Sequence, residues 1–167
     1  RYDTDFFARK VERVREVMPD AFIGVDVIVG TRGETPAFFD DACRFIEGLD
    51  VSQLHVFTYS ERPGTKALSI PHVVSPAEKH ERCRRLIELS EKKRRGFYAR
   101  YAGSVRPVLW EHSKPGRPVH GFTDNYIKVE LAGGQAADNT ITPVRLGGLT
   151  PDGEALTARP DDKNEIG

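Results

Sequence analysis

Cysteine is scarce in this chain: Cys43 and Cys83 are the two among 167 residues. Two thiols in separate helical patterns exclude a disulfide framework, and their spacing matches no metal-binding motif. Reduced, partly buried thiols of a cytoplasmic protein are expected instead. Net charge is missing as well, since 25 basic residues face 25 acidic ones and the overall balance selects no partner by sign. No apolar run approaches the roughly 20 residues of a membrane span. No signal peptide is expected, and the sequence does not begin with methionine. The chain opens on Arg1-Tyr2-Asp3-Thr4, and a fragment of a longer protein is expected. Its length allows one ordinary domain or two small ones.

What charge there is lies unevenly. From Lys79 to Tyr101 nine Lys or Arg stand against three Glu, whereas from His120 onward four basic residues stand against eight acidic ones. A basic central segment can be a footprint for nucleic acid, or the solvated face of a helix. On charge alone the solvated face is preferred.

The stretch from Phe22 to Pro36 carries the most information. A run rich in β-branched residues, Ile23 to Val29, ends at Gly30 and Gly33, and Thr35-Pro36 then reads as a cap and first helical position. A strand apolar on both faces predicts a parallel sheet with helices over it. Its C-terminal end would open onto a glycine turn and a helix start, where α/β folds bind ligands. Gly30 and Gly33 would let a ligand approach the backbone, and Glu34 could accept hydrogen bonds from it.

Upstream, Thr4 and Asp5 start a helix with the stripe Phe7, Val11, Val14 and Met18. A helix from Pro36 to about Glu47 buries Phe38 or Phe39, Ala42, Phe45, Ile46 and Leu49, with Gly48 as its stop. A strand follows over 54–59, completing a βαβ unit. Two strands leave exposed edges, so missing neighbours are expected upstream of Arg1. Ser75-Pro76-Ala77-Glu78 is a capping box opening a helix to about Tyr101, with the stripe Cys83, Leu86, Ile87, Ser90, Phe97 and Tyr101. Beyond Gly103 the pattern becomes short strands over 105–110, 126–131, 140–146 and 154–157. Loops are expected at Lys114-Pro115-Gly116, Gly133-Gly134 and Gly147-Gly148. These predict a small antiparallel barrel of the OB type, a domain boundary near Ala102–Ser104, and a polar tail over 160–167.

Several positions invite a choice between chemistry and structure. The loop Tyr59-Ser60-Glu61-Arg62-Pro63-Gly64-Thr65 is either a site beside the first strand's end or a Pro-Gly turn with a surface Glu–Arg pair. Asp26 orients a polar ligand or caps a loop, and His55 defaults to a satisfied core histidine. In Gly121-Phe122-Thr123-Asp124-Asn125-Tyr126-Ile127-Lys128, aromatics alternate with polar groups, as in barrels that stack bases and hold phosphate. The competing reading is a turn at 123–125 over a small core. Phe122 is assigned to core, and Tyr126 and Lys128 to surface contact.

Three segments carry a family resemblance. Asp26-Val27-Ile28-Val29-Gly30-Thr31-Arg32-Gly33-Glu34-Thr35 matches D-x-I-x-G-F-P-G-E-T, and Leu54-His55-Val56-Phe57-Thr58-Tyr59-Ser60-Glu61-Arg62-Pro63-Gly64-Thr65 matches L-H-V-F-x-Y-S-x-R-x-G-T. Gly121-Phe122-Thr123-Asp124-Asn125-Tyr126 resembles the G-Y-T-x-N-Y of a terminal TRAM domain. Together they resemble the C-terminal half of the radical-SAM tRNA methylthiotransferases. Leu54–Phe57 and Glu61–Pro63 tilt toward the branch that acts on threonylcarbamoyladenosine beside the anticodon. Sister branches act on isopentenyladenosine or a ribosomal-protein aspartate, and a non-catalytic RNA-binding module is the alternative of another class.

The resemblance implies an α/β segment holding the last two parallel strands of a partial radical-SAM barrel (1–102), with a basic linker helix over 76–101. An OB-like TRAM barrel (103–159) follows. It implies S-adenosylmethionine and 4Fe-4S clusters as cofactors, the cluster cysteines lying upstream of Arg1, because C-x-x-x-C-x-x-C is absent here. Asp26, Gly30, Gly33 and Glu34 would meet the cofactor. His55, Tyr59, Ser60 and Arg62 would face the reaction chamber, and Arg94, Arg95, Asn125, Tyr126 and Lys128 would meet RNA. No catalytic residue is assigned. The implied partners are a tRNA anticodon stem-loop and an electron donor, with no membrane, and the expected state is a cytoplasmic monomer. One departure stands inside the first signature: Thr31-Arg32 replaces Phe-Pro.

Overall fold

The computed structural model describes residues 3–114, 116–131 and 138–161. The chain divides into two units, Arg1–Lys93 and Arg94–Gly167. In the first, helix α1 (Thr4–Val17) begins where the Asp3 carboxylate accepts the Phe6 amide at 2.7 Å. That bond satisfies one of the donors a helix start leaves unpaired. Strand β1 (Gly24–Val29), helix α2 (Pro36–Gly48) and strand β2 (Gln53–Thr58) follow. Thr35 caps α2 by accepting the Phe38 amide, with Pro36 in the first turn, as the sequence predicts. β1 and β2 pair in parallel from Gly24 opposite Gln53 to Val29 opposite Thr58.

Among the described residues, helices cover one face of this pair and not the other. Val25, Val27 and Val29 join Leu54 and Val56 in a core with Val11, Phe39, Ile46 and Leu86. Side chains alternate along a strand, so Asp26 and Ile28 fall on the opposite face beside their register partners His55 and Phe57. Ile28 is 57 % and Phe57 53 % exposed, and His55 is exposed rather than a core histidine. In the helices, Phe39 and not Phe38 is buried, Ala42 and Ile87 are exposed, and Met18 lies past the end of α1 in solvent.

Helix α3 (Pro76–Ala99) opens on the expected capping box. The Glu78 amide donates to Ser75 Oγ at 3.2 Å, and the Glu78 carboxylate accepts the Ser75 amide at 3.0 Å. Farther along, the buried Ser90 hydroxyl accepts the Leu54 amide at 2.8 Å and donates to the Leu54 carbonyl at 3.0 Å. A helix side chain thus satisfies the outer edge of β2, where a neighbouring strand would otherwise be needed.

In the second unit the last turns of α3 contribute Phe97 and Tyr98, buried with Tyr101. Strands β3 (Val105–Trp110), β4 (Val119–Thr123), β5 (Lys128–Leu131), β6 (Ile141–Leu149) and β7 (Leu156–Pro160) close a barrel in the order β3-β4-β5-β7-β6. The β5–β7 pair is parallel and the others are antiparallel. A small barrel of OB type is as expected, but it has five strands where four were read, and one of its pairs is parallel rather than antiparallel. Val108, Trp110, Ile127, Val129, Leu146 and Leu156 fill it.

Two glycine segments differ from expectation. Gly147-Gly148 is not a loop but part of β6, where the pairing with β7 shifts register between Leu146 and Leu149. A Cβ on Gly147 would lie 2.2 Å from Thr157 Oγ1, so the glycine permits a bulged, close strand approach. The other is β4 itself, which the strand pattern did not predict. A Cβ on Gly121 would stand 2.4 Å from the Leu109 carbonyl oxygen; the residue that weakens strand propensity is the one that lets β4 lie against β3. The strand expected over 154–157 begins at Leu156. Gly133-Gly134, Pro115 and the tail beyond residue 161 lie outside the described residues, while Asp161 pairs with Arg145 at 3.0 Å. Among the described residues no helix is long and apolar enough to cross a membrane.

Candidate functional site

The C-terminal ends of β1 and β2 lie side by side, joined by a bond from the Tyr59 amide to the Val29 carbonyl at 2.8 Å. At the end of β1 the chain turns through Gly30 and Gly33, with φ of 76° and 83°, conformations that favour glycine. Glu34 closes the turn: its Oε2 accepts the Gly30 amide at 2.5 Å and the Arg82 guanidinium at 2.7 Å. Arg82 also donates to the Glu34 carbonyl at 2.9 Å, and the Gly33 amide donates to the His72 carbonyl at 2.9 Å. The Glu34 carboxylate, expected to reach a ligand, is engaged in building its own turn.

Lys79 seals the helix side. Its Nζ donates to the Tyr59 carbonyl at 3.0 Å and lies 5.4 Å from the Tyr59 ring centre. Its side chain packs against Gly30, where an added Cβ would be 2.4 Å from Lys79 Cγ. Arg32, which replaces the family's proline, spans the two strand ends. Its Nε donates to Glu61 at 2.7 Å and its Nη1 to the Leu68 carbonyl at 3.0 Å. The anticipated Glu61–Arg62 surface pair is therefore a Glu61–Arg32 bridge, and that hydrogen bond holds the Glu61 carboxyl below its usual range. Arg62 and Ser60 are exposed, and the Arg62 carbonyl accepts the Thr65 hydroxyl at 2.9 Å.

The face away from the helices is open. Ile28 and Phe57 stand nearest the strand ends, with the register partners Asp26 and His55 one step below, all four exposed. Two apolar side chains thus stand beside a carboxylate and an imidazole on one exposed strand face. Cys43 and Cys83 are partly buried on the helix side, and burial raises the Cys43 thiol. Among the described residues no group of three or more His, Cys, Asp or Glu could hold a metal ion, so the residues present do not fit a 4Fe-4S cluster.

The other candidate residues lie in the second unit. Thr123 Oγ1 accepts the Ile127 amide at 2.9 Å and donates to Asn125 Oδ1 at 2.7 Å, which fixes the expected turn after β4. Asn125 is buried within that turn, whereas Tyr126, at φ of 67°, is 66 % exposed with its ring 5.4 Å from that of Phe122. Lys128 is half-buried and donates its amide to the Tyr98 hydroxyl at 3.1 Å. Phe122 is also half-buried, so it serves the outer face as well as the core. Arg94 pairs with Glu154 at 2.6 Å and Arg95 donates to the Asp152 carbonyl at 3.3 Å, so both brace the turn before β7.

No protein-family model matches the chain. Individual proteins do. It is 32 % identical over 150 residues, 87 % of its length, to the threonylcarbamoyladenosine tRNA methylthiotransferase MtaB of Bacillus subtilis. It is 35 % identical over 160 residues, 93 % of its length, to the tRNA-2-methylthio-N(6)-dimethylallyladenosine synthase of Symbiobacterium thermophilum. Over most of its length, the chain is homologous to the tRNA methylthiotransferases. It is also 33 % identical over 144 residues, 83 % of its length, to the ribosomal protein uS12 methylthiotransferase RimO of Thermosynechococcus vestitus. The chain spans about a third of the length of these relatives, 33 %, 34 % and 32 % respectively.

Two of the segments that resemble the methylthiotransferases, 26–35 and 54–65, are the ones whose strand ends meet in space. Arg82 and Lys79, which complete the turn, were missed in the sequence. Their signal was readable: Arg82 shares the α3 face of the buried Leu86, four residues on, and a cation there needs a partner. The other cations of that basic helix are also engaged, Arg84 with Glu81 and Glu88, Arg85 with Asp40, and Lys92 with Glu47.

Proposed function

We propose that the chain is the cofactor-turn and RNA-holding part of a cytoplasmic radical-SAM tRNA methylthiotransferase. The observation that carries this reading is the parallel β1–β2 pair, its glycine turn and its open face, in a chain homologous to methylthiotransferases along most of its length. The pair would be two staves of a partial barrel whose open face lines the reaction chamber. When bound, S-adenosylmethionine supplies methyl and radical-forming groups. Ile28 and Phe57 would cover its flat base, Asp26 and His55 would orient polar groups beside it, and the Gly30–Glu34 backbone would set its depth. The loop 59–65 would face the RNA base, with Tyr59 and Ser60 excluding water from it. The barrel would hold the anticodon stem-loop, Tyr126 stacking on a base and Lys128 neutralising phosphate. Iron–sulfur clusters and their electron donor would be served by residues outside this chain.

The proposed base is threonylcarbamoyladenosine. Identities of 32 %, 35 % and 33 % to three branches do not choose among them, so this preference rests on Leu54–Phe57 and Glu61–Pro63. Mass spectrometry of tRNA nucleosides from a strain lacking the gene tests it. The methylthio form of threonylcarbamoyladenosine should disappear while the unmodified precursor accumulates. Loss of the methylthio group from dimethylallyladenosine or from a ribosomal protein would reassign the substrate, and no loss at all would end the proposal.

A further inference from the structure

The glycine turn carries its own restraint. With φ of 76° at Gly30 and 83° at Gly33, it has two permissive joints within four residues and would sample many shapes if left alone. One oxygen of Glu34 holds the Gly30 amide, and the same oxygen is held by Arg82. Arg82 is only 5 % exposed, with Phe39 beneath it at 5.2 Å and Glu78 at 4.0 Å. A buried ion pair of this kind contributes little net stability over an apolar pair of the same size. What it does supply is direction: one guanidinium nitrogen, Nη1, donates to both the carboxylate and the carbonyl of Glu34 and so fixes that residue's orientation, and with it the Gly30 amide.

We infer that Arg82 is a positioning residue for ligand binding, acting through Glu34 to hold the Gly30 turn in the shape that S-adenosylmethionine meets on the open face. The inference rests on the reading of this turn as the cofactor turn. Arg82 does not touch the ligand. Its role is to remove the turn's alternatives, so that binding need not do so.

The test uses the natural full-length protein, with S-adenosylmethionine as probe, equilibrium dialysis for affinity and thermal melting for stability. Arg82→Met should weaken affinity by roughly 10- to 100-fold, the scale of loss when a partner that orients a ligating group is removed. The rate at saturating cofactor should change by less than about threefold, so the effect falls on KM rather than kcat. Arg82→Lys should recover part of the affinity. Removing both charges, Arg82→Met with Glu34→Met, should recover part of the melting temperature lost in the single variant, because no orphan carboxylate remains although the Gly30 amide loses its acceptor. It should leave affinity weak. If the unaltered protein does not bind S-adenosylmethionine, the cofactor-turn reading fails. If it does bind and Arg82→Met binds equally well, or the double variant regains affinity together with stability, the positioning role is overturned. Should Arg82→Met not fold, Glu34→Gln decides by the same affinity measurement.

Discussion

Ser90 offers a sharp test of how the parallel pair survives with a helix where a strand would be. Its hydroxyl replaces a neighbouring strand for one residue, bonding both the amide and the carbonyl of Leu54 at 2.8 and 3.0 Å. Both residues are buried, so Ser90→Ala leaves two backbone groups without partners and without water. An orphaned buried donor or acceptor costs about 1–3 kcal/mol, and relaxation recovers part of that, so a loss of about 2–4 kcal/mol is expected. Against the usual total of about 5–15 kcal/mol this is a large fraction. Urea denaturation followed by circular dichroism should show a lower midpoint at an unchanged slope. Hydrogen exchange should show the Leu54 amide accelerating before its neighbours. Ser90→Thr keeps the hydroxyl and should lose less than half as much. A Ser90→Ala loss under about 0.5 kcal/mol, with Leu54 still protected, would mean that the β2 edge is held by something else.

The Gly30→Ala change should cost about 1–2 kcal/mol from its positive φ alone, plus a clash with Lys79. Lys79→Ala in the same chain should relieve only the clash, and denaturant midpoints of the three variants separate the two parts. Gly121→Ala drives a Cβ into the Leu109 carbonyl, where no side chain can yield, so a loss above about 2 kcal/mol and a weakened near-ultraviolet signal from Trp110 are expected; a silent substitution would contradict the close β3–β4 approach. Tyr98, whose phenol burial raises above the ordinary value of 10.0, keeps its proton in the fold at pH values where the unfolded chain has released it. Stability should therefore fall as pH climbs through the ordinary phenol range up to the raised value. Tyr98→Phe should flatten that limb of the stability–pH curve. Tyr126→Ala removes an exposed ring and should shift stability by less than about 0.5 kcal/mol, while RNA affinity in filter binding drops by about 1–3 kcal/mol. Unchanged RNA affinity would remove Tyr126 from the proposed contact.

Local signals in this chain translated well into local structure. Thr35-Pro36 and Ser75–Glu78 became caps at the positions read for them, because a cap is decided by residues within one turn. Val105–Trp110 was bounded correctly for a similar reason, since alternation and a preceding glycine are both local. The errors arise where one residue type answers to two pressures. Gly147 and Gly148 read as turn residues because glycine favours turns, and the strand that holds Gly121 was not predicted at all. In the barrel, Gly121 and Gly147 instead answer to the distance of a neighbouring strand far off in sequence. The β-branched run of β1 read as buried on two faces because Ile28 is apolar. Composition of a single strand does not say how many layers pack on it.

The strand-end site follows the same logic more strictly. Gly30, Gly33 and Glu34 were recognisable as a turn, but what they do there depends on partners 20 to 48 residues away in the chain. Glu34 meets Arg82, 48 residues on; Arg32 meets Glu61, 29 on; and the Tyr59 carbonyl meets Lys79, 20 on. Each contact crosses between elements whose packing must be known before the pairing can be seen. Glu34, read as able to accept hydrogen bonds from a ligand, already accepts the Gly30 amide and Arg82, and Arg32, where the family pattern has proline, bonds Glu61 and the Leu68 carbonyl. The side chains that alternation placed on the open face, Asp26, Ile28, His55 and Phe57, are the ones the proposed function gives to the ligand. A charged residue inside an apolar strand was the visible sign of that face, because the cost of burying Asp26 without a partner is avoided only if its side of the sheet stays open.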